Sequence, residues 1–141
     1  MAQQEIDERA TTTAEPAAVW ELLADSSTWP SWTSIDSHEQ ERPPGPDGTG
    51  EIRRFKNGPL TIREEIVEVV EQRRFSYSLL SGLPVKSYGA EIDLSATDEG
   101  TEIRWHTTFE PKVPGTGLPI KLVLTKATKD FVSGLVEASG S

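Results

Sequence analysis

The fold class this sequence predicts is α+β: a curved antiparallel sheet with one long helix laid against it. Three observations point there. Thr116 to Ser139 is the one long stretch with helical periodicity. Nearly everything from residue 33 to residue 111 reads as strand or hairpin turn. The last three strand segments set apolar and aromatic residues on one face and polar residues on the other, the pattern of a sheet with one wet face. An amphipathic helix following such strands buries its stripe only by lying on that sheet.

Gln4 to Ala14 is Thr-rich and alternates, with Ile6, Glu8, Ala10, Thr12 and Ala14 on one side, so it reads as an edge-type strand. Glu15-Pro16 opens a short helix, proline at the first helical position costing no hydrogen bond. Val19, Leu22 and Leu23 form its buried stripe, with Trp20 alongside. Asp25-Ser26-Ser27 ends it or caps a second short turn. Trp29-Pro30-Ser31-Trp32 places two of the four tryptophans within one turn, as a plug over the sheet or a wall of a pocket. Thr33 to Arg42 is a strand, and Pro43 to Gly48 a loop that no ladder could accommodate. Glu51 to Lys56 is a strand ending in Asn57-Gly58, the preferred two-residue hairpin turn. Leu60 to Val70 follows, its alternation slipping as though at a bulge. Arg74 to Leu80 then carries Phe75, Tyr77 and Leu79 on one face. Lys86 to Ala96 carries Tyr88, Ala90, Ile92 and Leu94, and Thr101 to Phe109 carries Ile103, Trp105, Thr107 and Phe109. In the final helix Ile120, Val123, Leu124, Ala127, Phe131, Leu135 and Ala138 share an arc of roughly 120°, with Leu122, Val132 and Val136 outside it. Thr116 is placed to cap it and Pro119 fits its first turn.

At 141 residues the chain is expected to be one domain, 1–141, and needs neither disulfide nor metal to fold. It has no cysteine, which removes thiol chemistry and thiolate metal sites and fits a reducing compartment, so a cytoplasmic location is expected. The N-terminus has neither basic residues nor an apolar core, so no signal peptide is expected. No apolar run approaches the ~18–20 residues of a membrane span. The net charge of −9 makes nucleic acid and anionic membrane surfaces poor partners, and no basic stripe is expected to stand out locally.

The order of these landmarks resembles the START-related, helix-grip superfamily (SRPBCC), in its polyketide-cyclase/dehydrase-like branch. The residues that carry the resemblance are Ala14-Glu15-Pro16-Ala17-Ala18-Val19-Trp20, the Asp25 to Trp32 segment, the Gly50 strand entry, Arg73-Arg74-Phe75-Ser76-Tyr77, Gly100 to Trp105, and Pro114-Gly115-Thr116-Gly117. The resemblance spans essentially the whole chain. It implies a seven-stranded sheet curled around the C-terminal helix, two short helices between strands 1 and 2, and a cavity for apolar or amphipathic ligands. Lipid carriers, secondary-metabolite binders, aromatase/cyclases and co-chaperones all share such a fold, which does not choose among them.

The candidate residues follow from the inner face. Trp32, Phe55, Tyr77, Tyr88, Trp105, Thr107 and Phe131 are the expected ligand contacts, because an aromatic with a polar tip can stack on a guest and orient it. Glu64 and Glu65 are weaker catalytic candidates, one of them able to point inward and titrate high. His106 alternates with Trp105 and so belongs to the wet face. The Ser34, Asp36, His38 string is no triad, since adjacent strand residues point to opposite faces. Neither a metal site nor a cofactor is expected. The binding of a small hydrophobic molecule is the leading reading and a polyketide aromatase/cyclase or dehydratase the runner-up. The chain would act as monomer or homodimer, with the loops 43–50 and 81–85 as rims.

Overall fold

The computed structural model describes residues 3–140; Met1, Ala2 and Ser141, the limits of the expected domain, lie outside the described residues. The elements run β1 (Gln4–Thr12), α1 (Pro16–Ala24), a 3-10 turn (Ser26–Thr28), α2 (Trp29–Trp32), β2 (Ser37–Arg42), β3 (Ile52–Asn57), β4 (Leu60–Val70), β5 (Arg74–Ser81), β6 (Val85–Thr97), β7 (Gly100–Pro111) and α3 (Gly117–Ser139). One seven-stranded sheet has the order β1-β7-β6-β5-β4-β3-β2, antiparallel at every step. This is a meander whose last strand returns to the first, with all three helices on its concave side. The expected helix-grip architecture is therefore the observed one.

The local chemistry accounts for most boundaries. Pro16 starts α1, and the Asp25 carboxylate accepts the Ser27 amide at 3.0 Å to cap the 3-10 turn. The slip in β4 is a bulge near Ile66 to Glu68: Glu64 and Ile66 face inward, Val67 is exposed, and Val69 returns to the core. β7 alternates without a break from Thr101 to Pro111.

Four expectations change. The strand expected from Thr33 begins only at Ser37, because Thr33 and Ser34 bend the chain out of α2, the Thr33 hydroxyl donating to the Trp29 carbonyl and accepting from the Ile35 amide. The hairpin after β3 turns on Gly58-Pro59, not Asn57-Gly58: Asn57 still pairs with Leu60, and only Gly58 has positive φ, at 57°. Glycine first and proline second suit a turn that needs positive φ only at its first central residue. Thr116 occupies the N-cap position of α3, yet its hydroxyl donates to the Val113 carbonyl rather than capping the helix.

The fourth change is the face of α3. Gly117, Thr128, Val132 and Leu135 are buried, while Val123 stands 68% exposed and Leu122 75%. The helix is rolled by roughly 60° from the purely apolar arc. Close packing sets that roll. A side chain at Gly134 would collide with the Trp32 carbonyl oxygen, so this glycine lets α3 approach α2 through bare backbone.

Two apolar clusters fill the concave side. The larger gathers Val19, Leu23, Trp29, Trp32, Phe55, Phe75, Tyr77, Ile92, Trp105, Val132 and Leu135, among others. The smaller holds Ile6, Val85 and Phe109, with Leu79, Leu83, Tyr88, Ile120 and Leu124 only partly covered. Tyr88 touches both.

Candidate functional site

The inner face of the sheet is mostly apolar and carries one buried ion pair. Alternation along Ile52-Arg53-Arg54-Phe55 sends Arg53 inward with Phe55 and Arg54 outward, where Arg54 meets Glu39 and Glu41. Arg53 stands directly opposite Glu64 across the β3–β4 ladder, so both side chains share the concave face. Arg53 is 0% exposed and Glu64 7%. The Arg53 Nε donates to Glu64 Oε1 at 2.9 Å, and Nη1 donates to the Ser26 hydroxyl at 3.1 Å, tying the 3-10 turn to the sheet. Nη2 lies 2.8 Å from the same Glu64 oxygen, but not in line to donate to it.

The guanidinium sits in an aromatic box. Its carbon lies 4.0 Å from the ring centre of Trp29, 4.6 Å from Tyr77 and 4.7 Å from Phe55. A desolvated cation over aromatic faces gains ~2 kcal/mol or more. Burial pushes the Glu64 carboxyl above its ordinary range, and the Arg53 charge pulls it part of the way back.

Farther along the same face are Tyr77 on β5, Tyr88 on β6, and Trp105 and Thr107 on β7. Tyr77 and Tyr88 stack with ring centres 6.5 Å apart. Burial raises both phenols, with the neighbouring Glu64 charge adding to it, so both hydroxyls stay protonated and able to donate. The Trp105 indole N–H and the Thr107 hydroxyl are buried without a hydrogen-bond partner. An unmade bond on a buried polar group costs ~1–3 kcal/mol, which a purely structural core would avoid with Phe and Val.

Trp29 occupies the middle of the concave side. Its ring centre lies 4.9 Å from Trp32, 5.5 Å from Phe55, 5.6 Å from Trp105, 5.9 Å from Phe131 and 6.0 Å from Tyr77, and its indole donates to the Leu23 carbonyl at 3.0 Å. Where a hollow is expected, the structure places Trp29, with Trp32, Phe55, Tyr77, Trp105 and Phe131 packed around it. Surface grooves of 450–870 Å³ lie elsewhere, and Trp32, Phe55, Trp105, Thr107 and Phe131 form no part of their walls.

The structure brings Trp32, Phe55, Tyr77, Tyr88, Trp105 and Phe131 into one cluster, with Thr107 beside them on β7. It does not bring Glu65, which faces outward and pairs with Arg42 at 3.1 Å, because neighbouring strand residues alternate. Of the two expected rims, only residues 81–85 border the smaller cluster, through Leu83 and Val85. The loop 43–50 packs back near Ile66 and Val69, away from the Thr61 edge that Gly82 touches. His106 lies on the outer face, 2.8 Å from Glu5, as expected.

Sequence reasoning missed the two central residues. Arg53 looks like any surface arginine until its alternation with Phe55 is followed inward. Trp29 was one of a tryptophan pair, and nothing local says which of the two fills the middle. Among the described residues, no group of three His, Asp or Glu side chains is placed to hold a metal ion.

A family model described as polyketide cyclase/dehydrase and lipid transport matches residues 3–140. No curated protein sequence gives a significant match. Among solved structures, an aromatase/cyclase from a Streptomyces species superposes with TM-score 0.85 at 14% identity, covering 98% of this chain and 94% of that one. A START superfamily protein from Mycobacterium smegmatis gives TM-score 0.81 at 14% identity over 94% and 97% of the two chains. The protein XoxI from Bacillus cereus gives 0.75 at 23% identity over 98% and 95%. At these identities the likeness is one of fold.

Proposed function

The chain belongs to the polyketide cyclase/dehydrase and lipid-transport family, and from that premise we propose that it binds a small hydrophobic molecule between the sheet and α3. One observation carries the reading. On an otherwise apolar wall, the buried Arg53 Nη2, the Trp105 indole N–H and the Thr107 hydroxyl are polar groups that the protein itself does not use. A guest with an apolar body and an oxygen-bearing end would satisfy them. Its ring or chain would lie against Phe55, Phe131 and Trp32, in the space Trp29 now fills. The α2 turn that carries Trp29 is a single turn, so displacing the indole disturbs little regular structure. The guest would enter beside Leu83, Ile120 and Leu124, which are only partly covered. No cofactor takes part in such binding. The lack of cysteine supports a reducing compartment such as the cytoplasm.

The test is native mass spectrometry of the protein purified from its own host, followed by displacement of anilinonaphthalene sulfonate by the candidate guest. A co-purifying apolar molecule is expected. Trp105→Phe and Thr107→Val should each weaken displacement about fivefold, one hydrogen bond's worth. Unchanged curves in both variants would move the site off this face.

A cyclase or dehydratase reading draws on one further observation: Glu64 is a buried carboxyl with a raised pKa beside two protonated tyrosines. Its engagement by Arg53 argues for a structural carboxylate instead. Loss of turnover of a poly-β-ketone thioester in Glu64→Gln, with probe binding retained, would favour the enzyme.

A further inference from the structure

The net charge of −9 hides a strong asymmetry. From Lys112 to Lys129 the chain has four lysines and no acidic residue. Three of them, Lys121, Lys126 and Lys129, line a groove of about 720 Å³ on the outer side of α3 together with Leu118, Leu122 and Thr125. Leu118, Leu122, Thr125 and Lys129 recur at three- and four-residue steps, so they form a stripe of their own on the helix. That stripe has no partner within the fold. Leu118 is 68% exposed and Leu122 75%, with Val113 and Val123 also in solvent nearby. Among the described residues, the acidic side chain bonded to these lysines is Asp130, 3.1 Å from Lys126.

We propose that this face of α3, with the loop from Lys112 to Thr116, docks reversibly on an anionic lipid surface. Leucines flanked by lysines on one helical face suit the boundary between headgroups and acyl chains, where apolar burial and attraction to anionic lipid add together. Charge complementarity selects the partner: a cationic patch on an otherwise acidic protein is drawn to an anionic surface in one orientation only, since the rest of the molecule is repelled. The expectation that anionic membranes are poor partners treats the charge as uniform, which the helix is not. The patch lies on the side of α3 opposite Ile120 and Leu124, which pack inward on the smaller cluster. No helix among the described residues is long and apolar enough to cross a membrane, so the contact is peripheral.

The experiment is co-sedimentation of the full chain, without added cargo, with vesicles of phosphatidylcholine alone or mixed with phosphatidylglycerol. Binding is expected only to the mixed vesicles. It should be lost as salt approaches ~1 M, where the Debye length falls to ~3 Å. Lys121→Gln, Lys126→Gln and Lys129→Gln should each weaken it about fivefold, and Lys56→Gln, on β3, not at all. The double variant Leu118→Ser, Leu122→Ser should weaken it at least about tenfold. These positions are exposed, so an unchanged circular dichroism melt certifies that the variants fold. Absence of binding at low salt, or equal binding to both vesicles, would overturn the proposal. So would leucine variants that leave vesicle binding intact and only dissolve a dimer seen by light scattering. Because no cargo is present, failure here leaves the interior site untouched, and failure of the interior site leaves vesicle binding intact.

Discussion

Two arginine–carboxylate pairs on opposite faces of the sheet invite comparison. Arg53–Glu64 lies on the concave face and Arg104–Asp7 on the convex one, each linking neighbouring strands. Both have an arginine Nε bonded to a carboxylate oxygen, at 2.9 and 3.0 Å. Arg104 adds a second bond from Nη2 to the other Asp7 oxygen, at 2.8 Å. Yet Glu64 is pushed up and Asp7 pulled down. Outside, the hydrogen bond from Arg104 outweighs the partial loss of water, and nearby cations add to it. Inside, loss of water dominates and the arginine offsets only part of it. The same bond therefore joins a surface pair in one place and a desolvated pair in the other.

The largest way to break the comparison is Arg53→Met. It leaves Glu64 buried without its partner, and a loss of about 3–5 kcal/mol in urea unfolding is expected, against no resolvable change for Arg104→Met. The double variant Arg53→Met, Glu64→Leu should regain most of that loss. If Arg53→Met alone were neutral, the pair would not be buried in solution.

Next is Trp29→Ala, which empties the centre of the cluster. A loss of about 3–5 kcal/mol accompanies such a cavity. Anilinonaphthalene sulfonate should bind more tightly to this variant than to the native protein, because the plug is gone. Weaker binding would mean that Trp29 holds the probe instead of excluding it. Gly134→Ala should cost about 1–3 kcal/mol through the collision with Trp32, and a thermal melt would show it.

The smallest effect is on the pH profile. The folded protein holds the Glu64 proton more tightly than the unfolded chain does, so this group's contribution declines as pH rises from its ordinary value of 4.5 toward the higher folded value. Asp7 runs the other way: its stabilisation is present above the ordinary value of 3.8 and is lost as pH falls toward the lower folded value. Unfolding midpoints measured across this range should therefore decline on both limbs. Glu64→Gln should flatten the upper limb alone.

How much of this was legible in the sequence depended on whether local pattern or distant packing decided each feature. Phe75, Tyr77, Ile92, Ile103 and Trp105 declared their face because strict alternation leaves one choice. The hairpin slipped by a residue because Pro59 competes with Asn57 for the turn. The α3 face was misread because Thr128 and Gly117 are buried, while Leu118, Leu122 and Val123 stand exposed. Hydrophobicity alone could not see that burial. Arg53 stayed hidden because its burial depends on standing opposite Glu64, a register fixed by the neighbouring strand. The basic run from Lys112 to Lys129 was visible all along and was masked by the net charge.

The most direct test of the interior site is nitrogen-proton NMR of the indole groups during titration with anilinonaphthalene sulfonate, carried out in the Leu118→Ser, Leu122→Ser background so that α3 does not compete. The Trp105 and Trp29 indole signals should move together and saturate with the fluorescence, while the outward amides of His106 and Thr108 stay fixed. Saturation with both indole signals unmoved would place the guest outside the sheet's curve and contradict the account.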